Sequence, residues 1–325
     1  MKKPILLFVS FLVPSFLAVA QPAAVQQLEN TQRVQEQQQL FKYQADQNAP
    51  ELYSGENEDM GPQRILKLKA RHKYFDGTVD SQFFYTSNAR LAQNAEDSSI
   101  WVNTAEAAFT PPNYKILSYD VATRAGVRAQ WYNYGLEDSN TPLNIFDFHA
   151  QTAFAEESFA PWQHWRFFFG MEATRLLTQP DYDEFYKELA PNWGVTRFFP
   201  MGDDKLFLIS YKGYYRITDQ PSTGLFLSPA TDRTDHTLNF AYSQQLGGNF
   251  VVTPFYRFQY TAFTAGPDRN DYFNTVGVFL TYNINKYASA RTFFDFEKKQ
   301  TDNNILSSDY DKFDVGLGAT LNIRF

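Results

Sequence analysis

Cysteine is absent from the 325-residue sequence, although its first residues have the features of an export signal. Lys2 and Lys3 precede an apolar run from Ile5 to Leu17, and Ala18 to Ala20 provide a small-residue cleavage site, so residues 1–20 are expected to be a secretory signal peptide. An exported chain of this length without cysteine does not fit a disulfide-built extracellular domain. Because no cysteine follows the apolar run, a lipid-anchored lipoprotein is also excluded.

Long apolar stretches are missing after residue 20, so the sequence predicts no transmembrane helix in the mature chain. Basic residues are fewer than acidic ones, and the net charge is -7. This charge argues against a nucleic-acid-binding surface. Aromatic residues are abundant instead: they make up 18% of the chain, with 32 Phe and 20 Tyr. An exported, aromatic-rich chain without helical spans is typical of a protein that crosses a membrane with strands.

Residues 21–63 differ in composition from the rest of the chain. The first part is rich in Gln, with apolar positions too sparse for an amphipathic stripe, and residues 48–63 carry acidic, Gly and Pro residues without periodicity. This composition predicts a flexible or partly helical periplasmic arm. The alternative is a helix that plugs a lumen or binds a periplasmic partner.

From about residue 78 onward, apolar and polar residues alternate with a period of two, which indicates strands with two different faces. Along 120–134, for example, Val127 and Trp131 alternate with Arg124 and Arg128. Charged residues in mid-strand fit a wet lumen and not a dry core. Twelve candidate strands follow: 78–89, 99–109, 120–134, 144–156, 163–177, 185–198, 204–217, 234–245, 250–263, 271–285, 288–299 and 312–325.

The connections between these strands alternate between short turns and longer acidic loops, as in a barrel with both termini in the periplasm. The sequence therefore predicts an all-β fold, a transmembrane antiparallel up-and-down β-barrel of about twelve strands within residues 64–325. Residues 65–74 alternate basic with apolar residues outside this count. They extend the first strand, with a break at Asp76 and Gly77, or form a strand folded inside the barrel; the pattern does not decide between these.

The chain ends on "VGLGATLNIRF", in which every second residue is apolar up to the terminal Phe325. With the signal peptide and the aromatic-rich strands, this ending resembles bacterial outer-membrane β-barrel proteins. The resemblance implies a place in the outer membrane, in contact with its lipid and lipopolysaccharide. It also implies that the barrel-assembly machinery recognises Leu321, Ile323 and Phe325. It implies nothing about a solute.

The alternation predicts a set of charged side chains that face the lumen. These pore-lining candidates are Arg124, Arg128, Asp147, His149, Arg166, Glu172, Glu188, Lys212, Arg216, Arg257, Arg291, Asp295 and Glu297. One interpretation is that they pair across the lumen and tie the barrel together. The other is a charged lining that selects solutes in a narrow, porin-like conduit for small polar or anionic solutes. A non-conducting surface receptor, scaffold or secretion partner is the alternative function.

An outer-membrane hydrolase is the third function that the sequence leaves open. Among the four His residues, His149 lies near Asp147 and Gln151 in sequence, and His236 adjoins Asp235. Neither is surrounded by a motif that combines a nucleophile, a base and an orienting group. The expectation is therefore a protein without enzymatic activity, with no catalytic residue, cofactor or metal.

Overall fold

The computed structural model describes residues 24–32, 72–135, 143–202, 204–219, 231–265, 268–304 and 307–325. The predicted signal peptide at 1–20, most of the predicted arm and residues 64–71 lie outside the described residues. Within the described part of the chain, no helix is both long enough and apolar enough to cross a bilayer.

Twelve long antiparallel strands form one closed sheet. The sheet closes because the first strand pairs with both the second and the last, and the second pairs directly with the fourth. A short thirteenth element, β3, pairs only with β4 and lies outside the closed wall. The strands are β1 Phe75–Thr86, β2 Ser98–Phe109, β3 Tyr114–Ile116, β4 Tyr119–Tyr134, β5 Phe148–Phe159, β6 Trp165–Thr178, β7 Glu184–Pro200, β8 Lys205–Asp219, β9 Arg233–Gly247, β10 Phe250–Phe263, β11 Asn270–Asn283, β12 Ala288–Thr301 and β13 Tyr310–Arg324. The predicted up-and-down barrel of twelve strands is confirmed.

The connections differ in length between the two ends of the barrel. Short turns at 201–204, 248–249 and 284–287 lie at the end where β1 begins and β13 finishes, which we call the terminus end. In the tightest turn Gly247 and Gly248 have φ angles of 106° and 55°, a region that favours glycine. Longer connections such as 87–97 and 302–309 lie at the opposite, distal end. The fifth strand starts later than predicted, because residues Leu143–Phe146 form a 3-10 turn before it.

The outer face of the barrel is an apolar belt. Side chains exposed on it include Val79, Val127, Phe169, Val276, Phe294 and Leu317. The last strand contributes alternate apolar residues through Ile323, and Phe325 exchanges two backbone hydrogen bonds of 3.0 Å with Phe75. A closed barrel whose outer surface is apolar is built to contact lipid. The fold is that of a transmembrane β-barrel.

The first strand continues through Asp76 and Gly77, which pair with Arg324 and Ile323. The break that the sequence suggested at these two residues is therefore not present. Because Phe75 already pairs with Phe109 on the second strand, the barrel wall starts there.

Residues 24–32 form a helix, which we call α1, and nearly all of its side chains are buried. Ala24, Val25 and Leu28 belong to the same apolar cluster as residues of the inner wall, so the helix lies inside the barrel. These nine residues are helical, as the prediction of a partly helical arm allows, and their position inside the barrel fits the alternative of a plug. The helix packs inside the barrel because its apolar side chains contact apolar side chains of the inner wall.

Candidate functional site

The distal half of the lumen is apolar where α1 packs. Leu28 retains 2% of its exposed area, and Ile100, Tyr132 and Leu176 of the wall retain none. Tyr132 stacks on Phe148 with ring centroids 4.3 Å apart. Burial of these side chains against one another removes apolar surface from water, which stabilises the helix in the lumen.

Polar contacts fix the orientation of the helix. Glu29 forms an ion pair with Arg233 and a longer one, at 3.5 Å from its Oε1 to Nε, with Arg216. Arg216 also donates to Glu188 at 2.5 Å and to Asp235 at 2.6 Å. These five side chains, which we call the latch cluster, are each at most 8% exposed. Buried charges of opposite sign stabilise a structure only when their geometry and further hydrogen bonds offset desolvation, and the latch cluster provides both.

A cavity of about 160 Å³ lies next to α1 on the side of the terminus end. Gln32 of the helix approaches Gln130 at 3.5 Å, and Glu29 approaches Arg216. Arg128 and Tyr214 line the cavity. Gln130 and Arg216 are the next inward-facing residues on the same two strands, toward the distal end. The helix therefore stands between the cavity and the distal end of the lumen.

Among the described residues, five basic side chains and two acidic ones, Glu156 and Glu172, line this cavity. The basic residues are Arg124, Arg128, Arg166, Lys212 and Arg257. Arg166 donates to Glu156 at 2.6 Å, but the Nζ of Lys212 is 3.8 Å from Glu172. We call this lining the basic vestibule.

Two arginines of the basic vestibule share one carboxylate. Arg128 donates to Glu106 at 2.7 Å, and Arg124 donates to the other oxygen of the same carboxylate. Their guanidinium groups also lie over the ring of Phe154, at 4.8 Å for Arg124 and 5.5 Å for Arg128. Such contacts order both side chains.

A separate ion pair crosses the last strand. Arg291 on β12 donates to both oxygens of Asp80 on β1, at 2.6 and 2.8 Å, and its guanidinium passes over Gly318 on β13. A Cβ on Gly318 would lie 2.7 Å from the guanidinium carbon, so glycine at this position permits Arg291 to reach Asp80. This bidentate pair joins the two strands on either side of β13.

Acidic and basic side chains are buried in equal number on the wall opposite the basic vestibule. Asp295 and Asp314 are cross-strand partners, and both are buried. Lys312 donates to Asp314 at 2.7 Å, and Tyr310 donates to Glu297 at 3.0 Å. On β12 and β13 the three buried carboxylates, of Asp295, Glu297 and Asp314, are thus balanced by three buried basic groups, those of Arg291, Lys299 and Lys312.

The structure places eleven of the thirteen predicted lumen residues on the inner wall. They are Arg124, Arg128, Arg166, Glu172, Glu188, Lys212, Arg216, Arg257, Arg291, Asp295 and Glu297. Each of these eleven lies near at least one side chain of opposite charge.

The predicted inward orientation is wrong for His149 and Asp147. His149 pairs with Trp131 and lies on the outer face, with its ring 5.8 Å from Trp131 and 5.0 Å from Tyr182. Asp147 precedes the fifth strand and accepts the backbone N–H of Tyr134 at 2.7 Å. Burial raises the pKa of the Asp147 carboxyl, and that hydrogen bond acts in the opposite direction. Phe148 and Ala150 face inward instead, because the wall beside α1 is apolar.

The side chains of His236 and its sequence neighbour Asp235 point to opposite faces of the barrel wall. His236 lies on the outer face, where its Nδ1 is 2.8 Å from the hydroxyl of Tyr211 and its ring stacks between Tyr211 and Tyr260. Asp235 points the other way, to Arg216. Among the described residues, no three His, Cys, Asp or Glu side chains are grouped to hold a metal ion.

Sequence reasoning missed several residues of the lumen. Glu29, Glu106, Arg233 and Asn239 were not among its candidates, and all are buried on or within the inner wall. The alternation of Glu106 with Ala105 and Ala107 was a usable signal, since a charge between small residues indicates an inner position. No local pattern marks Glu29, because its partners lie far away in the sequence.

Similar folds occur among solved structures. The chain is similar to the KdgM porin (9% identity, TM-score 0.38, covering 75% of this chain and 98% of that one). It is also similar to the beta domain of the Bordetella autotransporter Brka (10%, 0.46, 77% and 100%) and to an outer membrane channel from Pseudomonas putida F1 (9%, 0.49, 77% and 96%). No protein-family model and no curated protein matches the chain. Likenesses this distant carry no inference about a solute.

Proposed function

We propose that this barrel is a conduit for small polar and anionic solutes across the bacterial outer membrane, closed in the present structure by α1. The observation that carries the proposal is the order of parts along the lumen. The basic vestibule lies toward the terminus end, and the helix blocks the way to the distal end. Passage of a solute requires α1 to move.

The contacts of α1 suit a plug that can be displaced. The helix is held by a small apolar patch and by the latch cluster, and it contributes no strand to the wall. Because every strand of the barrel pairs with two other strands, removal of the helix leaves the wall hydrogen-bonded. The charged lining then sets which solutes enter, as rings of charge do in channels.

Planar-bilayer conductance of the refolded protein tests this proposal. We expect the full-length mature chain to be mostly silent, and a variant lacking residues 24–32 to show discrete conductance steps. The full-length variant Glu29→Arg serves as a second test, because like charge beside Arg216 and Arg233 expels the helix without shortening the chain. Silence of both folded variants would refute the conduit.

Ion selectivity provides a further criterion. The open barrel is expected to prefer chloride over potassium, because five basic side chains line the vestibule against two acidic ones. Lys212→Glu should shift the reversal potential toward cation preference. Arg197→Glu is the control, since Arg197 is exposed on the outer face beside Trp165 and Phe199.

A non-conducting receptor or scaffold is the second candidate function. The observation that favours it is the nearly complete burial of α1 side chains, which fits a permanent plug as well as a movable one. In that case deletion of the helix leaves the refolded barrel silent, and the bilayer experiment separates the two functions.

A further inference from the structure

One buried carboxylate of the inner wall, that of Asp295, has no basic partner. Nine Asp and Glu side chains are buried among the residues that the structure describes. Eight of them form an ion pair with an Arg or Lys, and Asp295 is the exception within this part of the chain. A buried carboxylate that is ionised and unpaired carries the full cost of leaving water.

The residue directly opposite Asp295 is a second aspartate, Asp314 on β13. Residues paired in this way have Cβ atoms about 4.5–5.5 Å apart on the same face of the sheet. Lys312 donates to Oδ2 of Asp314 at 2.7 Å, whereas Oδ1 is buried and accepts no hydrogen bond from the described chain. A buried acceptor without a donor and a carboxylate without a partner thus lie next to each other.

The other basic groups of these two strands are engaged elsewhere. Arg291 donates to both oxygens of Asp80, and Lys299 forms an ion pair with Asp271 at 3.2 Å. The equal number of acidic and basic side chains on β12 and β13 therefore does not give Asp295 a partner. The further titratable or charged groups that face the pair are Glu297, Tyr310 and Lys312 on the same two strands, Arg257 on β10 and Tyr134 on β4.

The strands on either side of the pair present no charge to it. Thr86 on β1 lies opposite Asp314, and Gly277 on β11 lies opposite Asp295. A Cβ on Gly277 would lie 2.6 Å from the ring of Phe255 and 2.7 Å from the Cβ of Asp295. Glycine at this position therefore lets an aromatic ring pack beside Asp295.

The helix α1 contacts the wall on both sides of Asp295. Phe293, the preceding inward residue on β12, belongs to the same apolar cluster as Val25 and Leu28 of the helix. Glu297, the following inward residue, accepts a hydrogen bond of 3.0 Å from Tyr310, whose hydroxyl in turn accepts one from Gln26. Glu29, the one charged residue of α1, belongs to the latch cluster. The docked helix therefore keeps water from the two aspartates.

We infer that Asp295 and Asp314 share one proton, which α1 seals from water, and that this proton makes the docking of α1 sensitive to pH. The protonated carboxyl of Asp295 donates to Oδ1 of Asp314, so the two residues together carry one negative charge, which Lys312 balances. Two carboxylates in one buried site do not both ionise. A metal ion does not take the place of the proton, because among the described residues no third His, Asp or Glu completes a metal site.

The direction of the pH effect follows from where the proton is bound. With α1 in place the pair retains its proton; once α1 leaves, water reaches the pair and both carboxylates ionise, as a hydrated aspartate does above about pH 3.9. The docked state thus binds one proton more than the displaced state, so docking weakens as the pH rises, by at most about tenfold per pH unit. The use of this switch to open the lumen rests on the proposed conduit, whereas the shared proton does not.

Infrared difference spectroscopy of the refolded full-length protein tests the shared proton directly. We expect the C=O stretch of a protonated carboxyl in the wild type at pH 7. The band should be missing from Asp295→Asn, whose amide replaces the acid as donor to Asp314. Asp271→Asn is the matched control, because it makes the same substitution at a buried aspartate that is ion-paired with Arg269 and Lys299, and it should retain the band.

Amide hydrogen exchange in residues 24–32 tests the pH effect. After correction for the chemical exchange rate, exchange in the wild type should accelerate at least about tenfold between pH 5 and pH 8. Exchange in Asp295→Asn should stay constant over this range, and Asp271→Asn should retain the acceleration. Each variant is first checked for heat-resistant electrophoretic migration, the sign of a folded barrel.

The outcomes that overturn the inference are distinct from failure of the conduit. A wild type without the carboxyl band, or a band that persists in Asp295→Asn, would refute the shared proton. Exchange in 24–32 that does not change with pH, or that changes equally in Asp295→Asn, would refute its link to α1. A barrel whose plug loosens with rising pH but that never conducts would reject the conduit and leave this inference standing.

Discussion

Glu29 on α1 accepts a hydrogen bond from Arg233 on β9, which lies 204 residues further along the chain. The pair is almost completely buried, with both side chains 8% exposed. The same carboxylate lies 3.5 Å from Nε of Arg216 on the neighbouring strand. A single acidic residue of the N-terminal region thus joins the plug to two strands of the wall.

Replacement of Glu29 by Gln should loosen the plug. The substitution keeps the shape of the side chain but removes its charge, and hydrogen bonds to charged groups contribute about 1.5–3 kcal/mol. Amide hydrogen exchange in residues 24–32, followed by mass spectrometry, is therefore expected to accelerate about ten- to a hundredfold. Exchange in the strands should not change.

Glu156→Gln is the matched control for this experiment. Glu156 is also a lumen carboxylate paired with an arginine, but its partner is Arg166, near the terminus end. Its replacement should leave exchange in 24–32 unaffected. If Glu29→Gln left the helix as protected as in the wild type, the latch would have no role in holding it.

A double-mutant cycle isolates the Glu29–Arg233 pair from the rest of the latch cluster. Arg233 also approaches Asp235 at 3.5 Å, so Arg233→Gln has an effect of its own. Contacting residues deviate from additivity by about 0.5–3 kcal/mol. We expect the double variant to be less destabilised than the sum of the single variants, measured by the same exchange experiment; additive effects would show that the two residues are uncoupled.

Gly318→Val should weaken the seam where the barrel closes. A Cβ at this position would lie 2.7 Å from the guanidinium carbon of Arg291, so the ion pair of Arg291 with Asp80 must shift or break. Breaking a buried pair costs about 3–5 kcal/mol. We expect a lower urea midpoint for unfolding of the refolded barrel.

Ala319→Val is the control for the seam experiment. It introduces the same valine side chain one residue later, on the exposed outer face of the same strand. This variant should unfold at the wild-type urea concentration. Equal midpoints for Gly318→Val and Ala319→Val would contradict the role assigned to the Arg291–Asp80 pair.

Phe325→Ala should impair assembly in the cell more than folding in vitro. The resemblance to outer-membrane proteins assigns Phe325 to recognition by the assembly machinery, and its ring also contacts that of Phe75, with centroids 6.0 Å apart. We expect a several-fold smaller folded fraction in outer membranes, with nearly unchanged refolding yield in detergent. Leu317→Ala, an exposed residue in the same strand, should assemble normally; an equal defect would assign the effect to lipid contact instead.

His236→Ala should leave conductance unchanged. The ring lies on the outer face between Tyr211 and Tyr260, away from the lumen, and makes one hydrogen bond of 2.8 Å to Tyr211. Loss of that bond costs about 1 kcal/mol of stability. A change in the single-channel conductance of the open barrel would show that the outer face influences the lumen. Loss of a hydrolytic activity in this variant would support the hypothesis of an outer-membrane hydrolase.

The strand pattern was readable from sequence wherever the lumen is wet. Along β10, Thr253, Arg257 and Gln259 alternate with Tyr256 and Phe258, and the structure buries the polar set on the inner wall. Lipid on one side and water on the other impose opposite preferences on alternate residues. The alternation of polar and apolar residues therefore indicates which residues face the lumen and which face lipid.

The same pattern misled where the lumen is dry. On β5, Phe148 and Ala150 point inward and His149 outward, the reverse of the prediction. The reason is α1, whose Val25 and Leu28 make this part of the interior apolar. An apolar residue in such a strand can therefore face either the lipid or the plug.

By itself the sequence determined the class of the fold, a closed barrel of twelve strands, and the strand bounds to within a few residues, because bilayer and water act on each strand locally. Only the tertiary structure decided what fills the barrel. Glu29 meets Arg233, and Asp80 meets Arg291, across 204 and 211 residues of chain. Such contacts depend on closure of the wall and on the position of α1, and no local pattern of residues records either.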